Sequence, residues 1–261
     1  MVDWNPDAYR RFAEQRNRPF LDLLDLLPPT VPGRLLDLGC GDGRLTRLAA
    51  ERLGATEVVA VDSSPRMIES AQNGEDKVPT AWLLGDLRTP LGGDRTWEVV
   101  LSNAVLQFLD EHDVVFPGLM ARVAPRGWLA VHMPFNHVAR SHLLMEEAAQ
   151  AGELGGAFGE FRMAWPQEAP EVYAAWLRDA GFEHVSVQLR TYRHPLEGAG
   201  AIVAWMKSGG LQPWLDALDP ALHETFLAVY TSMIDRAYPS IGDDVRLLDY
   251  TRLLIVGRAP G

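Results

Sequence analysis

The run Leu35-Leu36-Asp37-Leu38-Gly39-Cys40-Gly41-Asp42-Gly43 holds the chain's densest concentration of potential chemistry. An apolar stretch meets an acidic residue, Asp37, and glycines then fall at every second position. Glycines so placed let the backbone turn tightly and approach a ligand with no Cβ in the way. A dinucleotide site would require G-x-G-x-x-G, and counted from Gly39 and Gly41 its third glycine falls on Arg44, so that reading fails. Asp62 closes the next apolar run. At the end of a second parallel strand its carboxylate can accept hydrogen bonds from both hydroxyls of a ribose. Capping the helix that begins near Pro65 is its plainer role, and the two are compatible. Gly85-Asp86-Leu87 suits the exocyclic amine and face of an adenine, and Ser102-Asn103-Ala104 closes a fourth run. Four such signals at successive strand ends point to an adenosine-bearing ligand more firmly than any one of them. His132, His137 and His142 lack acidic or cysteine ligands at metal-site spacing, so no metal is expected.

These groups need a scaffold, and the pattern supplies one. Asp7 to Leu27 reads as an amphipathic leading helix, with Phe12, Phe20, Leu23, Leu24 and Leu27 on one face and Pro28-Pro29 as a stop. Arg34–Leu38, Val58–Val61, Ala81–Leu84, Glu98–Ser102 and Trp128–Met133 read as short buried strands. Between them lie helices at Arg44–Leu53, Pro65–Ala71 and Leu119–Val123. Such alternation predicts an α/β fold: a doubly wound, mostly parallel sheet covered on both faces. After Met133 the rhythm changes to two helix-like pieces and a glycine-rich stretch, Gly152–Gly159. A helix at Tyr173–Ala180 leads into His184–Tyr192, whose alternation predicts an antiparallel strand, and Tyr250–Val256 gives a last strand. Between those two strands Gly198–Tyr238 is mainly helical. We therefore expect one domain over residues 1–261, with the leading helix (about 6–27), an insertion (about 134–165) and a helical cap (about 198–238) forming a lid over the acceptor.

Composition bounds the partners. The 261 residues carry a formal net charge of −11, with 47% hydrophobic and 23% charged residues, which are ordinary globular proportions. The negative field opposes phosphate backbones, and no block of Lys and Arg reverses it locally, so nucleic acid is not expected as a partner. The single cysteine, Cys40, has no internal partner, and the N-terminal segment lacks an apolar signal core, which places the protein in the cytoplasm by expectation. No apolar run approaches the roughly 18 residues needed to span a bilayer.

The segments DLGCG, VDSSPRMI, GDLR and SNAVLQFL resemble the S-adenosylmethionine-binding segments of the trans-aconitate 2-methyltransferase family, within the class I methyltransferases. DWNPDAYRRFAEQRNRP at the start, HMPFNHVARSH, SGGLQPWLDAL and YTRLLIVGR are similar to that family in regions that vary among methyltransferases, so the resemblance covers nearly the whole chain. It implies a seven-stranded sheet and S-adenosyl-L-methionine as methyl donor. Carried over by position, Gly39 and Gly41 lie against the methionine part, and Asp37 is counted among the cofactor-binding residues. Asp62 and Ser63 meet the ribose, Met67 the adenine, Asp86 and Leu87 its edge, and Asn103, Ala104 and Gln107 the floor. Arg18 holds either the cofactor's carboxylate or the substrate's. The acceptor implied is a small carboxylate, with His132, Asn136, Arg140, His142, Tyr192 and Arg252 as its candidate ligands. Asp42 stands where many relatives have proline and Phe108 where many have tryptophan. No catalytic base is expected, because a carboxylate acceptor is already ionised at neutral pH. The oligomeric state is left open.

Overall fold

The computed structural model describes residues 13–88 and 95–261, with side chains from residue 17 onward. Residues 6–12 of the expected leading helix lie outside the described residues. The described part, α1 (Ala13–Leu24), stops one turn earlier than Leu27, because Leu26 and Leu27 donate to Leu23 and Leu24 in tight three-residue turns. The chain then follows β1 (Gly33–Leu38), α2 (Arg44–Leu53), β2 (Ala55–Asp62), α3 (Pro65–Gln72), β3 (Thr80–Leu84) and β4 (Trp97–Asn103). It continues through α4 (His112–Met120), β5 (Val123–Pro134), α5 (Arg140–Ala149), α6 (Pro170–Asp179) and β6 (Glu183–Glu197). Last come α7 (Gly198–Lys207), α8 (Gln212–Ala217), α9 (His223–Ala237) and β7 (Val245–Arg258).

The strands form one seven-stranded sheet in the order β3-β2-β1-β4-β5-β7-β6. The pairs β1–β2, β1–β4, β2–β3 and β4–β5 are parallel, and β5–β7 is antiparallel. Strand order therefore reverses at β1, which lies between β2 and β4, and the ends of those three strands share one edge. In open α/β sheets a ligand crevice forms at such a reversal. The near-continuous apolar character of β1 and β4 follows from burial on both faces.

Two compact units divide the chain. The sheet unit comprises Arg18–Pro134, Pro166–Arg190 and Arg252–Gly261, and its core gathers Phe20, Leu23, Leu35, Ala49, Leu53, Val58, Val99 and Leu101. The helical unit comprises Phe135–Trp165 and Thr191–Thr251, with residues 13–17. Its separate core is aromatic, built on Trp205, Trp214, Phe226 and Tyr230 with Leu144, Met145 and Ile234. The unit boundary falls within β6, after Arg190, and within β7, after Thr251.

The segment before β5 departs from expectation as well. The helix expected at Leu119–Val123 is α4, nine residues from His112 to Met120, and Val123 already belongs to β5. Pro117 lies inside the helix. The buried stripe His112, Phe116 and Leu119 holds α4 in place. The polar member of that stripe is satisfied: His112 Nε2 donates to the Leu106 carbonyl at 2.8 Å and Nδ1 accepts from the Tyr173 hydroxyl. Among the described residues no helix is long and apolar enough to cross a membrane.

Candidate functional site

Within the sheet unit, β1 delivers the glycine loop. Gly39 has φ +85°, and a Cβ there would lie 2.0 Å from Val105 Cγ2; Gly43 has φ +75°, and a Cβ would lie 2.5 Å from the Trp82 ring. Both positions are closed to other residues by packing and conformation together. Gly41 differs. Its φ is +56°, yet a Cβ would meet nothing within 4 Å, so this part of the loop faces open space.

Asp62, at the end of β2, locks the loop from the side. Its Oδ2 accepts the Gly41 N–H at 2.9 Å, and its Oδ1 accepts the Ser64 N–H at 2.9 Å. The cap of α3 is Ser64 rather than Asp62, since the Ser64 hydroxyl accepts the Met67 N–H. Each carboxylate oxygen has about two acceptor sites and uses one, so Asp62 keeps capacity for a further pair of donors. Ser63 beside it is exposed and Met67 half-buried.

Asp37 stands differently from its expected place among the cofactor contacts. It is buried, its Oδ2 accepts the Thr46 hydroxyl at 2.6 Å, and its Oδ1 is sealed off with no hydrogen-bond partner among the described residues. Burial pushes its carboxyl up to about 7, against the Thr46 hydrogen bond and with help from the nearby Asp62 charge. Thr46, on the inner face of α2, was not singled out in the sequence.

At the end of β4 the Ser102 hydroxyl donates to the Leu38 carbonyl at 3.0 Å, tying the β4 and β1 ends together. Asn103 Oδ1 accepts Nδ1–H of His132 at 2.7 Å. Ala104 takes φ +57°, an uncommon conformation for a residue with a Cβ, and is held by its N–H to the His132 carbonyl at 2.8 Å. Its own carbonyl accepts Gln107 Nε2 at 2.8 Å, while Gln107 Oε1 is buried without a partner among the described residues. Gln107, half-buried, thus braces Ala104 through its amide nitrogen. Asp86 carries a forked ion pair with Arg88, which lowers its carboxyl below the ordinary range, and Leu87 beside it is half-buried.

The acceptor candidates separate in the same way. His132 is 2% exposed; burial first, and the Arg252 charge second, hold its imidazole well below the ordinary histidine range. Its Nε2 is sealed and meets no hydrogen-bond partner among the described residues. Asn136, a further acceptor candidate, is engaged at both ends: its Nδ2 donates to the Thr251 carbonyl at 2.9 Å and its Oδ1 accepts the Thr251 N–H at 2.7 Å. That exchange imitates one more rung of strand pairing beyond Pro134, and it occupies both ends of the amide. Arg140 is an exposed side chain paired with Glu147 rather than part of a pocket. Arg18 is likewise exposed and pairs with Asp22 at 2.9 Å.

His142 is buried in the helical unit against Trp165 and Tyr250, with ring centroids at 5.5 and 6.0 Å, and burial followed by the neighbouring His137 lowers its pKa to about 4. Tyr192 is half-buried on β6, and Arg252 is buried on β7 opposite Pro134. Among the described residues no group of three His, Cys, Asp or Glu is placed to hold a metal. A groove of about 630 Å³ runs along the outer face of α2 past Arg44, Leu48, Glu51 and Arg52, and it contains none of the strand-end groups.

A methyltransferase-domain family model matches residues 35–127, from the glycine loop to the β5 bend. Among solved structures, a Haemonchus contortus phosphoethanolamine N-methyltransferase 2 aligns with TM-score 0.53 at 16% identity over 94% of this chain and 53% of that one. The YcgJ protein of Bacillus subtilis aligns with TM-score 0.59 at 13% identity over 94% and 99%. Both likenesses show a shared fold. Curated relatives are much closer in sequence: a trans-aconitate 2-methyltransferase of Methylobacterium radiotolerans is 39% identical over 99% of both chains, and one of Delftia acidovorans 35% identical over the same shares. Matched end to end at this level, the chain belongs to the trans-aconitate 2-methyltransferase family.

Proposed function

We propose that the chain transfers the methyl group of S-adenosyl-L-methionine to a carboxylate oxygen of trans-aconitate, forming a methyl ester. One observation carries the donor half of this reading: the Asp62 carboxylate, fixed by Gly41 N–H, keeps unused acceptor capacity beside the open side of that glycine. A ribose presents two hydroxyl donors, which that carboxylate fits. We assign Gly39, Gly41, Asp62, Ser63, Met67, Asp86, Leu87, Asn103 and Ala104 to the donor, with Arg18 as a further carboxylate ligand. The acceptor half rests on the names of the relatives.

S-Adenosylmethionine brings a methyl group already activated by a positive sulfur. What the protein must supply is alignment of the attacking oxygen, which held reactants gain by loss of translational and rotational freedom. An ionised carboxylate needs no base, so none is assigned. A tricarboxylate approaching a chain of net charge −11 needs fixed positive charge, and Arg252, with a planar fork that stays charged at any working pH, is the proposed source. Tyr192 and His142 remain proposed acceptor contacts. Cys40, buried and free, suits the reducing cytoplasm.

The test is transfer of labelled methyl to a panel of di- and tricarboxylic acids, with the product exposed to mild base. A base-labile product formed fastest on trans-aconitate supports the reading. A base-stable product moves the acceptor to a phenol, amine or carbon and overturns it.

A further inference from the structure

The corner where β4 ends is tied to one residue twice. His132 sits opposite Asn103 in the β4–β5 ladder; its carbonyl accepts the Ala104 N–H and its Nδ1–H donates to Asn103 Oδ1. An amide oxygen only accepts, so the proton of this neutral imidazole lies on Nδ1. Nε2 is then an acceptor, sealed in the sheet unit with no donor among the described residues. A buried acceptor left unmade costs stability, and an apolar side chain of similar size would avoid that cost. Packing alone therefore does not explain a histidine here.

The far side of the Asn103 amide is the unused one. Asn103 is half-buried, and its Nδ2 makes no hydrogen bond among the described residues. With Oδ1 held by His132, the donor end of the amide is turned away from the imidazole. Rotation of the amide by half a turn would exchange the two, placing an acceptor where a donor now stands.

We propose that His132 is a positioning residue: its Nδ1–H fixes the Asn103 amide so that Nδ2 serves as a hydrogen-bond donor to a carboxylate at the carboxyl ends of the parallel strands. This rests on the methyltransferase reading of the site. A carboxylate there has two sources, the methionine moiety of the methyl donor or the acceptor acid.

The test compares the unmodified enzyme with His132→Leu, His132→Asn, Asn103→Ala and the His132→Leu/Asn103→Ala double variant. Calorimetry measures affinity for S-adenosylhomocysteine and for its decarboxylated analogue, and kinetics give KM for trans-aconitate. His132→Leu is expected to weaken one carboxylate-bearing ligand about tenfold, the size of one hydrogen bond to a charged group. Loss for S-adenosylhomocysteine but not for its decarboxylated analogue assigns the methionine carboxylate; a raised KM for trans-aconitate with cofactor affinity unchanged assigns the acceptor. His132→Asn, which keeps a donor at the δ position, should restore most of the loss. In the Asn103→Ala background His132→Leu should add less than about twofold, because its partner is gone. A full additive loss in that background, or no change in either constant, overturns the proposal. Should His132→Leu fail to fold, the Asn103 side-chain amide resonances, assigned by their absence in Asn103→Ala, decide: they shift on adding S-adenosylhomocysteine or trans-aconitate, and no shift with either overturns it. If the unmodified enzyme esterifies no acid, the acceptor reading fails while the S-adenosylhomocysteine arm still tests His132.

Discussion

Asn103, at the end of β4 in the sheet unit, and Asn136, just past β5 in the helical unit, both hold a corner of the chain, and the structure uses them in opposite ways. Asn136 is 4% exposed and gives both ends of its amide to the Thr251 backbone. Asn103 gives one end to His132 and keeps the other. The same contrast extends outward. At the sheet unit's strand ends, Asp62 uses half its acceptor capacity, Gly41 faces open space and Ala104 is held at positive φ. In the helical unit the buried Tyr230 hydroxyl is closed on the Ser141 carbonyl at 2.9 Å. Polarity and burial do not separate the two regions. Unused bonding capacity at an accessible surface does, and the proposed ligand site follows from it.

The strongest attempt to break this rule is Asp62→Ala. It removes two acceptors for the ribose and the clamp on Gly41, each charge-assisted bond being worth about 1.5–3 kcal/mol. Affinity for S-adenosylhomocysteine should fall more than about a hundredfold, with the protein still folded. Unchanged affinity by calorimetry would mean that the spare capacity of Asp62 faces nothing.

Two buried groups sharpen the comparison through pH, because they act in opposite directions over the same window. Asp37 in the sheet unit is raised from 3.8 to about 7, so between those values the unfolded chain has released a proton that the folded chain retains. Its contribution is therefore most favourable below about pH 4 and is lost as pH rises through 7. His142 in the helical unit is lowered from 6.5 to about 4; its contribution is complete above 6.5 and is lost as pH falls toward 4. Asp37→Asn should raise the unfolding free energy at pH 8 by up to a few kcal/mol and change little near pH 4, because each tenfold change in proton affinity is worth about 1.4 kcal/mol. His142→Gln should flatten the acid limb below pH 6.5. Parallel thermal-unfolding profiles for both variants and the parent would refute these assignments.

The asparagine pair gives the next test. Asn136→Ala leaves the Thr251 N–H without a partner and its carbonyl with the Phe135 N–H alone, and should lower stability by about 2 kcal/mol while leaving S-adenosylhomocysteine affinity within about twofold. Asn103→Ala should do the reverse, costing affinity for a carboxylate-bearing ligand and little stability. Denaturant midpoints and calorimetry on the two variants would sink the rule if each lost both properties equally.

Much of the sheet unit was legible because its signals are local. Gly39 and Gly43 announce positive φ within a strand–loop–helix of about twenty residues, and the apolar runs of β1, β2 and β4 need no distant partner to be recognised. Local reading fails where a long-range contact decides. The helix expected at Leu119–Val123 is α4, whose buried stripe begins well upstream at a histidine satisfied by Tyr173, 61 positions away. Asn136 reads as a substrate ligand until Thr251, 115 positions on, takes both ends of its amide. Thr46 closes one oxygen of Asp37, and His132 turns one face of Asn103. In each case residue type was visible in the sequence, but which lone pair or proton was left over depended on strand neighbours.

The smallest effect comes from Arg140, and it tests the rule from its exposed side. Its guanidinium pairs with Glu147 at 2.5 Å, with both side chains about half exposed at 53% and 50%. Solvent and salt screen such a pair, and the entropy of holding two long side chains offsets most of the attraction. Arg140→Ala should therefore change stability by less than about 0.5 kcal/mol. If bonding capacity already met by a neighbour excludes a ligand role, KM for trans-aconitate should also stay within about twofold, whereas Arg252→Met should raise it well beyond that. Steady-state kinetics at two ionic strengths separate a local contact from a general field, because loss of one exposed charge fades as salt rises and loss of a buried ligand does not. A several-fold rise in KM for Arg140→Ala that persists at high salt would show that an ion-paired surface arginine can exchange its carboxylate partner for the substrate's, and unused capacity would then no longer suffice to locate the site.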